Sequence, residues 1–465
     1  MALLTDSYIN ANNGVLRALS IQDLIFSFVW IAFVALILLI YRSRQSASVY
    51  KYFMPFFFFK TFSLLGFVVV YVYNYGGGDS VAFWGLSNAL VDLSMKDFSD
   101  FIAEMLGNYN HGENGFFKHG IRYPGWIARE EEGYFVSKVG WFFSLISGKN
   151  FLLSSLYFMF FSFLSHWRFY RLIQEHFITH NRLWLHILLL FIPSVSFWCT
   201  GISKDTLVFI AILNLTYYII KWFVLKERKI IYILWLCFYS VLLLKTREVV
   251  FTAVMVSFLI SWLFTVVNVI DQRFLRTLLR IGLAFVGFAS VLIAFYFFGL
   301  DELVNAYLLE ASIIQGDFIS NQIYTGKKYS IGISEFTILN LILSSPTAVI
   351  TGIFRPFFWE SFSPTLLLNG LESTLFLYLF LIKIVFQWRS FSQSIFSHWI
   401  LLFALVFVVL FGFITGLTSV IFGVLVRLRA PLLIFFVICL YWKDFHKGVG
   451  SKKTIDLVKL NENKG

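Results

Sequence analysis

Residues 24–41 read LIFSFVWIAFVALILLIY, a stretch without a charged side chain that Arg42 and Arg44 follow closely. An α-helix needs about 20 predominantly apolar residues to cross roughly 30 Å of hydrocarbon. Only a helix or a closed barrel satisfies every backbone hydrogen bond inside a membrane. The stretch therefore predicts a membrane-spanning helix, and blocks of the same kind recur along the chain.

The composition of the whole chain agrees with this prediction. Of its 465 residues, 59% are hydrophobic and 14% are charged, whereas a soluble domain is about 45–50% apolar and about 25% charged. The net charge of +11 comes from residues at the ends of the apolar blocks, where the positive-inside rule places them. We therefore interpret the charge as a topology signal and expect the lipid bilayer, and no nucleic acid, as a partner.

The apolar blocks predict an all-α fold, a polytopic transmembrane helical bundle of about 11 spans with re-entrant or interfacial outer helices. The spans are predicted at 21–41, 53–74, 151–167, 183–199, 205–222, 230–245, 249–269, 281–299, 372–387, 398–417 and 419–441. Every second connection is basic, which places Arg389 and the lysines from Lys443 onward in the cytoplasm. We expect one transmembrane domain, 1–445, and a cytoplasmic tail, 446–465.

Two long polar segments, 75–150 and 300–371, are then expected on the outer face. In the first, apolar residues recur at helical spacing across Asp92–Gly107, which predicts an amphipathic helix in the interface plane or an ordinary surface helix. In the second, Pro346 interrupts the apolar stretch Phe336–Phe354. We expect a re-entrant or interfacial hairpin there, because irregular backbone is tolerated only beside protein or a polar cavity.

Asp79 is the candidate catalytic residue. It ends the run Gly76-Gly77-Gly78-Asp79 directly after the second predicted span. Glycines allow positive φ and close approach of a ligand to the backbone, and a carboxylate beside such a turn can serve as a general base. The alternative is an ordinary aspartate in a glycine turn.

Ionisable residues that border membrane spans are costly, so each one suggests a function. Lys204 lies in the tight outer turn between the fourth and fifth predicted spans and is expected to contact substrate, whereas Asp205 is expected to cap the fifth helix. Arg247 and Glu248 follow span six. Either they pair with each other or Arg247 binds an anion.

Three further arginines complete the candidate site. Arg355 precedes Pro356 and a cluster of aromatic residues that would anchor it at the interface. Arg427 and Arg429 lie inside the apolar run Ser419–Tyr441. Their planar guanidinium groups suit phosphate, and the alternative is a structural pairing with acids of neighbouring helices.

Together these residues predict an outward-facing pocket with Asp79 as catalytic group and Lys204, Arg247, Arg355, Arg427 and Arg429 as substrate-binding groups. A carboxylate and cationic clamps on a departing phosphate suffice for glycosyl transfer. The expected substrate is a polyprenyl-phosphate-linked sugar and the expected partner a glycan acceptor. No cofactor is implied, and no carboxylate–histidine cluster in the sequence suggests a metal. Lys60, in the middle of span two, is expected to have a partner on another helix.

The pattern of these motifs resembles the bacterial polytopic sugar-transfer proteins, namely the GT-C glycosyltransferases and the EpsG- or Wzy-like polysaccharide polymerases. The resemblance is carried by Gly77-Gly78-Asp79 with Phe83 and Trp84, Glu132-Gly133-Tyr134 before Trp141-Phe142-Phe143, Pro193 through Lys204-Asp205, Arg355-Pro356-Phe357-Phe358-Trp359, and Gly423 before Arg427-Leu428-Arg429. It implies a GT-C-like bundle in the bacterial inner (cytoplasmic) membrane, with Asp79 as base or acceptor-orienting group. The polymerase side of the resemblance gives more weight to Arg427 or Arg355.

Two other functions compete with sugar transfer. A lipid-linked-sugar flippase or other transporter would need broken helices or polar residues at the middle of the membrane, and usually an inverted repeat. The sequence shows no repeat, and its polar groups cluster toward one face. A non-catalytic envelope scaffold is the third possibility.

Overall fold

The computed structural model describes residues 20–45, 50–107, 115–124, 127, 130–178, 183–268, 328–329, 338–361 and 363–445, with single residues at 272, 282, 309, 313 and 316. The span predicted at 281–299, most of the outer segment before residue 338 and the tail 446–465 lie outside the described residues. Within them, the secondary structure is helical apart from turns and two isolated backbone bridges.

The first ten helices among the described residues are α1 Ile21–Ser43, α2 Phe53–Val69, α3 Gly78–Lys96, α4 Phe98–Leu106, α5 Gly115–Lys118, α6 Glu131–Ile146, α7 Phe151–His176, α8 Leu183–Leu190, α9 Pro193–Trp198 and α10 Lys204–Ile219. Six more follow: α11 Ile230–Asn268, α12 Ile338–Phe354, α13 Pro364–Phe380, α14 Trp388–Ile395, α15 Trp399–Thr418 and α16 Phe422–Leu440. Helices α2, α10 and α13 each continue into one wider π turn, at Val70–Asn74, Ile220–Val224 and Leu381–Val385.

Seven of the described helices are long and apolar enough to cross a membrane. They are Ile21–Ser43, Phe53–Asn74, Lys204–Val224, Ile230–Val267, Leu366–Val385, Trp399–Thr418 and Phe422–Leu440. The predicted all-helical, multi-pass architecture is confirmed at this level.

The span predicted at 183–199 consists of two short helices, α8 and α9. Pro193 is the first residue of α9, and Ile192 before it is extended (φ −69°, ψ 119°). Proline is tolerated in the first turn of a helix but disfavours helical geometry in the residue before it. The proline therefore starts a new helix where hydropathy alone predicted a continuous one.

Helix α11 is interrupted at Arg247, whose backbone is extended (φ −165°, ψ 91°). This break lies between the two spans predicted at 230–245 and 249–269. The sequence located the interruption because Lys245, Arg247 and Glu248 are charged residues in an otherwise apolar run.

Helix α12 differs from the predicted hairpin, because the helix continues through Pro346. It packs closely on α15: a Cβ added to Gly416 would overlap the carbonyl oxygen of Ala348, and one added to Gly352 would overlap that of Gly412. Small residues allow such close helix packing in membranes. Neighbouring helices also help a helix to tolerate proline, which explains why Pro346 does not break α12.

The amphipathic helix predicted across Asp92–Gly107 is divided at Asp97. The Asp97 carboxylate accepts hydrogen bonds from the N–H groups of Ser99 and Asp100 at 2.9 and 3.0 Å and so caps α4. Glu104, one of the charged residues between the apolar positions of this segment, is buried and accepts a hydrogen bond from the Tyr134 hydroxyl. The polar side of α4 is therefore partly an interior surface.

The contacts within the chain define two compact units. Unit 1 takes in the described residues of Met1–Gln174 and Leu190–Phe251, and unit 2 those of Glu175–Leu189 and Thr252–Gly465. Each unit contains part of the predicted site, and each is described by itself below.

Candidate functional site

Asp79 lies in the first turn of α3, in unit 1, directly after a glycine turn. Gly76, Gly77 and Gly78 have φ angles of 60°, 112° and 51°, which L-residues with a Cβ rarely adopt. A Cβ on Gly78 would also lie 3.3 Å from the ring of Tyr71. The glycines are therefore explained by the tight connection between α2 and α3, and the position of Asp79 agrees with the preference of helix starts for acids.

Helices α3 and α6 run parallel, which positions Asp79 along the second helix. The Ser87 hydroxyl donates to the Ser137 carbonyl at 2.9 Å, a contact between residues 50 apart. One turn earlier, the Phe83 ring lies 3.1 Å from the position of a Cβ on Gly133, again 50 residues apart. The same step places Asp79, one further turn back, level with the start of α6.

The start of α6 carries three consecutive glutamates, and two of them hold Lys204. Its ammonium group donates hydrogen bonds to Glu130 and, at 3.2 Å, to Glu132. Lys204 is the first residue of α10 and is only 7% exposed. Because burial of an unpaired ammonium is costly, these carboxylates explain how Lys204 is accommodated. The predicted substrate-contacting cation is thus already bound to two acids.

Arg247 pairs with the carboxylate of Asp205, 3.3 Å away, a partner that the sequence did not suggest. Asp205 is 1% exposed, and the expectation that it caps α10 is wrong, because the Ser203 hydroxyl accepts the capping hydrogen bond from Thr206 N at 3.1 Å. The interruption of α11 therefore occurs where a guanidinium group neutralises a buried carboxylate.

We call Glu130, Glu131, Glu132, Lys204, Asp205, Lys245 and Arg247 the charge cluster of unit 1. Its remaining ion pair joins Lys245 and Glu131 at 3.0 Å in an exposed position. The cluster contains four carboxylates and three cations. Sequence reasoning missed Glu130 and Glu131, although an acidic triplet before an apolar helix is a visible signal.

Arg355 lies in unit 2 and binds Glu360. Its Nε donates to both carboxylate oxygens at 3.0 and 3.1 Å, and Nη2 donates to one of them at 2.5 Å. The guanidinium group also lies over the rings of Tyr329 and Phe422, at 4.8 and 5.2 Å from their centroids. The Glu360 carboxylate and the two aromatic rings therefore fix the side chain of Arg355.

Arg429 is completely buried in α16 and binds the end of α12. It donates to the carbonyl oxygens of Ile353 at 3.1 Å and Arg355 at 2.6 Å, and to the Ser373 hydroxyl at 2.5 Å. The last carbonyls of a helix lack internal partners and attract cations. Arg429 thus serves α12 as a C-terminal cap, whereas Arg427, two residues earlier, is half-buried.

Glu372, the first residue of the span predicted at 372–387, does not open a helix. Helix α13 begins at Pro364, with Ser363 as its N-cap, so Glu372 lies two turns inside. It attracts Arg429 electrostatically. The acid is therefore explained by a buried cation on α16 rather than by a helix terminus.

The six predicted site residues divide between the units. Asp79, Lys204 and Arg247 belong to unit 1, and Arg355, Arg427 and Arg429 belong to unit 2. Within unit 1, Lys204 and Arg247 join the charge cluster, and Asp79 begins the helix beside it. Within unit 2, Arg355 and Arg429 are in direct contact.

Lys60 has the interhelical partner that the sequence suggested. Its ammonium group donates to the Ser162 hydroxyl of α7 at 3.2 Å and lies 4.9 Å from the ring centroid of Phe209 on α10. The residue is fully buried in α2. A cation at this depth is held by one hydroxyl and an aromatic face.

A carboxylate–histidine group that sequence reasoning missed consists of Asp97, Asp100 and His119. One oxygen of Asp100 already accepts hydrogen bonds from Lys118 and His119, both at 2.8 Å. Two hydrogen bonds lower the pKa of Asp100, and the one from Lys118 has a larger effect than the one from His119. With Asp97 capping α4, a surface ion-pair network accounts for the whole group.

Comparison of the chain with known protein families, with curated proteins and with solved structures gives no match.

Proposed function

We propose that the chain is a membrane glycosyltransferase or polysaccharide polymerase that uses a polyprenyl-phosphate-linked sugar at the outer face of the bacterial inner membrane. The observation that carries the proposal is the charge cluster of unit 1. Lys204 and Asp205 are buried at the start of a candidate membrane span, and ionisable residues at such positions are expensive enough to suggest a function.

The chemistry of the cluster suits transfer of a sugar from a phosphate. A carboxylate has to accept the proton of the acceptor hydroxyl, and cations have to stabilise the charge on the departing phosphate. Asp79 is the proposed base, and Glu132 is the alternative on α6. Lys204 and Arg247 are the proposed cations of unit 1, and an entering phosphate would compete with their carboxylate partners.

Within unit 2, Arg355 and Arg427 are the proposed anion-binding groups, and the fully buried Arg429 holds Arg355 in place. The proposal includes a GT-C-like arrangement of spans, a cytoplasmic carboxyl terminus and a glycan acceptor. The helices α3 and α6, which are not among the candidate spans, would then form an outer platform beside the membrane surface.

Surface-glycan analysis tests this proposal in a strain that lacks the gene and carries a variant copy. Asp79→Asn should abolish or strongly reduce the glycan, since loss of a general base slows a reaction by about 10²–10⁴-fold. Lipid-linked sugar should accumulate on the outer leaflet. Asp92→Asn is the matched control, because Asp92 lies on the same helix in an exposed pair with Lys149.

The proposal fails if Asp79→Asn, Arg355→Ala and Arg427→Ala all give normal glycan at normal protein levels. Loss of glycan in the Asp92→Asn control would show that the effect is not specific to Asp79 among the acids of α3.

A lipid-linked-sugar flippase is the second candidate, and the interruption of α11 favours it. Transporters commonly place ionisable groups where a membrane helix is broken, and Arg247 is such a group. The glycan experiment separates the two functions, because a missing flippase leaves lipid-linked sugar on the inner leaflet.

A further inference from the structure

Two buried polar atoms around Arg355 lack hydrogen-bond partners among the described residues. They are the hydroxyl of Tyr329, a residue only 9% exposed, and Nε of the fully buried Arg429. Buried polar atoms are nearly always paired, and leaving one unpaired carries a desolvation cost. The unpaired hydroxyl of Tyr329 indicates a ligand that completes the site.

Tyr329 is held firmly although it stands outside the long helices. Its N–H donates to the Val420 carbonyl at 2.8 Å, and Lys328 forms a backbone bridge with Ile421. Its ring stacks on Phe422 with centroids 4.8 Å apart. The position of the hydroxyl is therefore fixed before any ligand arrives, which reduces the entropy lost on binding.

The Arg355 guanidinium group lies over the ring of Tyr329, with its central carbon 4.8 Å from the ring centroid. Glu360 takes Nε and Nη2, and Nη1 makes no hydrogen bond within the described part of the chain. The side chain keeps 21% of its surface exposed, so a ligand can reach it. Burial raises the pKa of Tyr329, which keeps its hydroxyl protonated as a donor. A cationic N–H and a neutral O–H are thus available on two side chains that are in contact.

Arg429 has a different role. Its Nη1 donates to the carbonyl of Arg355 itself, and Glu372 balances its charge. These contacts fix the backbone from which the Arg355 side chain extends. Arg429 is therefore a positioning residue, and its full burial is consistent with that role.

We propose that Arg355 and Tyr329 bind a phosphate anion, with Arg429 holding Arg355 in place. The identification of this phosphate as that of a lipid-linked sugar rests on the proposed function, whereas recognition of a phosphate by unit 2 does not. Tyr329 is a binding residue that the sequence motifs did not indicate.

Binding to the purified full-length chain in lipid nanodiscs tests the inference. The probes are inorganic pyrophosphate, farnesyl diphosphate and uncharged farnesol. Tyr329→Phe should weaken binding of both diphosphates by about ten-fold or more, because it removes one hydrogen bond to a charged group. The ring and its stacking on Phe422 remain. Arg355→Lys keeps the charge but loses the planar fork, and a comparable loss is expected.

Tyr378→Phe is the matched control, because Tyr378 is 59% exposed on α13 of the same unit. Variants are compared only when their thermal transitions agree with that of the control, and Arg355→Lys provides the second test if Tyr329→Phe fails to fold. Binding of pyrophosphate and farnesyl diphosphate supports a phosphate site, and binding of farnesyl diphosphate alone supports a lipid-borne phosphate. Equal binding of farnesol, no diphosphate binding, or unchanged affinity in both variants overturns the inference.

The outcome is independent of the glycan experiment. Diphosphate binding that depends on Tyr329, together with normal glycan in Asp79→Asn, Arg355→Ala and Arg427→Ala, would retain the anion site and remove the proposed function. Unchanged binding in both Tyr329→Phe and Arg355→Lys, together with loss of glycan in Asp79→Asn, would do the reverse.

Discussion

Replacement of Arg429 by methionine should destabilise unit 2 strongly. The wild-type side chain is fully buried and donates three hydrogen bonds, two of them to the carbonyls of Ile353 and Arg355. Hydrogen bonds to charged groups contribute about 1.5–3 kcal/mol each. Methionine also removes the cost of burying a charge, so the net loss in free energy of unfolding is smaller than the sum of the three hydrogen-bond contributions. Removing one member of a buried charged network costs about 3–5 kcal/mol, which we expect as the loss in free energy of unfolding.

The free energy of unfolding is measured by denaturant titration in mixed micelles. Arg389→Met is the control, because Arg389 is an exposed arginine on α14 of the same unit. A difference between Arg429→Met and this control of less than about 1 kcal/mol, the size of one ordinary hydrogen bond, would refute the capping role.

Three further predictions concern other buried contacts. Gly416→Ala should lower the free energy of unfolding by about 1–3 kcal/mol, as in other overpacked cores, because the new Cβ would overlap the Ala348 carbonyl. An unchanged free energy in the same titration would show that α12 and α15 separate easily. Lys60→Met should leave the thermal midpoint unchanged or raise it, because a buried cation with few partners is costly, and a fall of several degrees would mean that the ammonium group is needed. Arg247→Met should lower the free energy of unfolding by about 3–5 kcal/mol, because it removes the guanidinium group that pairs with the buried Asp205 carboxylate. The Arg247→Met, Asp205→Asn double variant should recover most of this loss, and a double variant no more stable than the single one would contradict the pairing.

Hydropathy and charge correctly located those helices that depend only on their local sequence and not on packing against a neighbouring helix. The predicted spans at 398–417 and 205–222 correspond to Trp399–Thr418 and Lys204–Val224, because a lipid-crossing helix needs only local apolar length. Pro346 misled the prediction, since its effect depends on whether a neighbouring helix packs against α12. The helix break before Pro193 was missed for the opposite reason. Proline restricts the backbone of the preceding residue whatever its neighbours, and a hydropathy pattern does not contain that restriction.

Individual candidate residues were found because charges are rare in apolar runs, but their partners were not. Lys204 binds Glu130, 74 residues away in sequence, and Arg429 binds the Arg355 carbonyl at the same separation. Such pairs depend on how helices pack, which no local pattern records. Tyr329 was missed for a related reason, because a single tyrosine in a polar segment acquires meaning only beside Arg355.

The account depends most directly on which side of the membrane the charge cluster of unit 1 faces. Glu131 reports this side well, because it belongs to the cluster yet keeps 59% of its side chain exposed, and loss of an exposed ion pair costs little. Glu131→Cys is introduced into a chain whose three native cysteines are serine, and intact cells are treated with a membrane-impermeant maleimide. The account predicts labelling of intact cells, and labelling only after the inner membrane is permeabilised would contradict it.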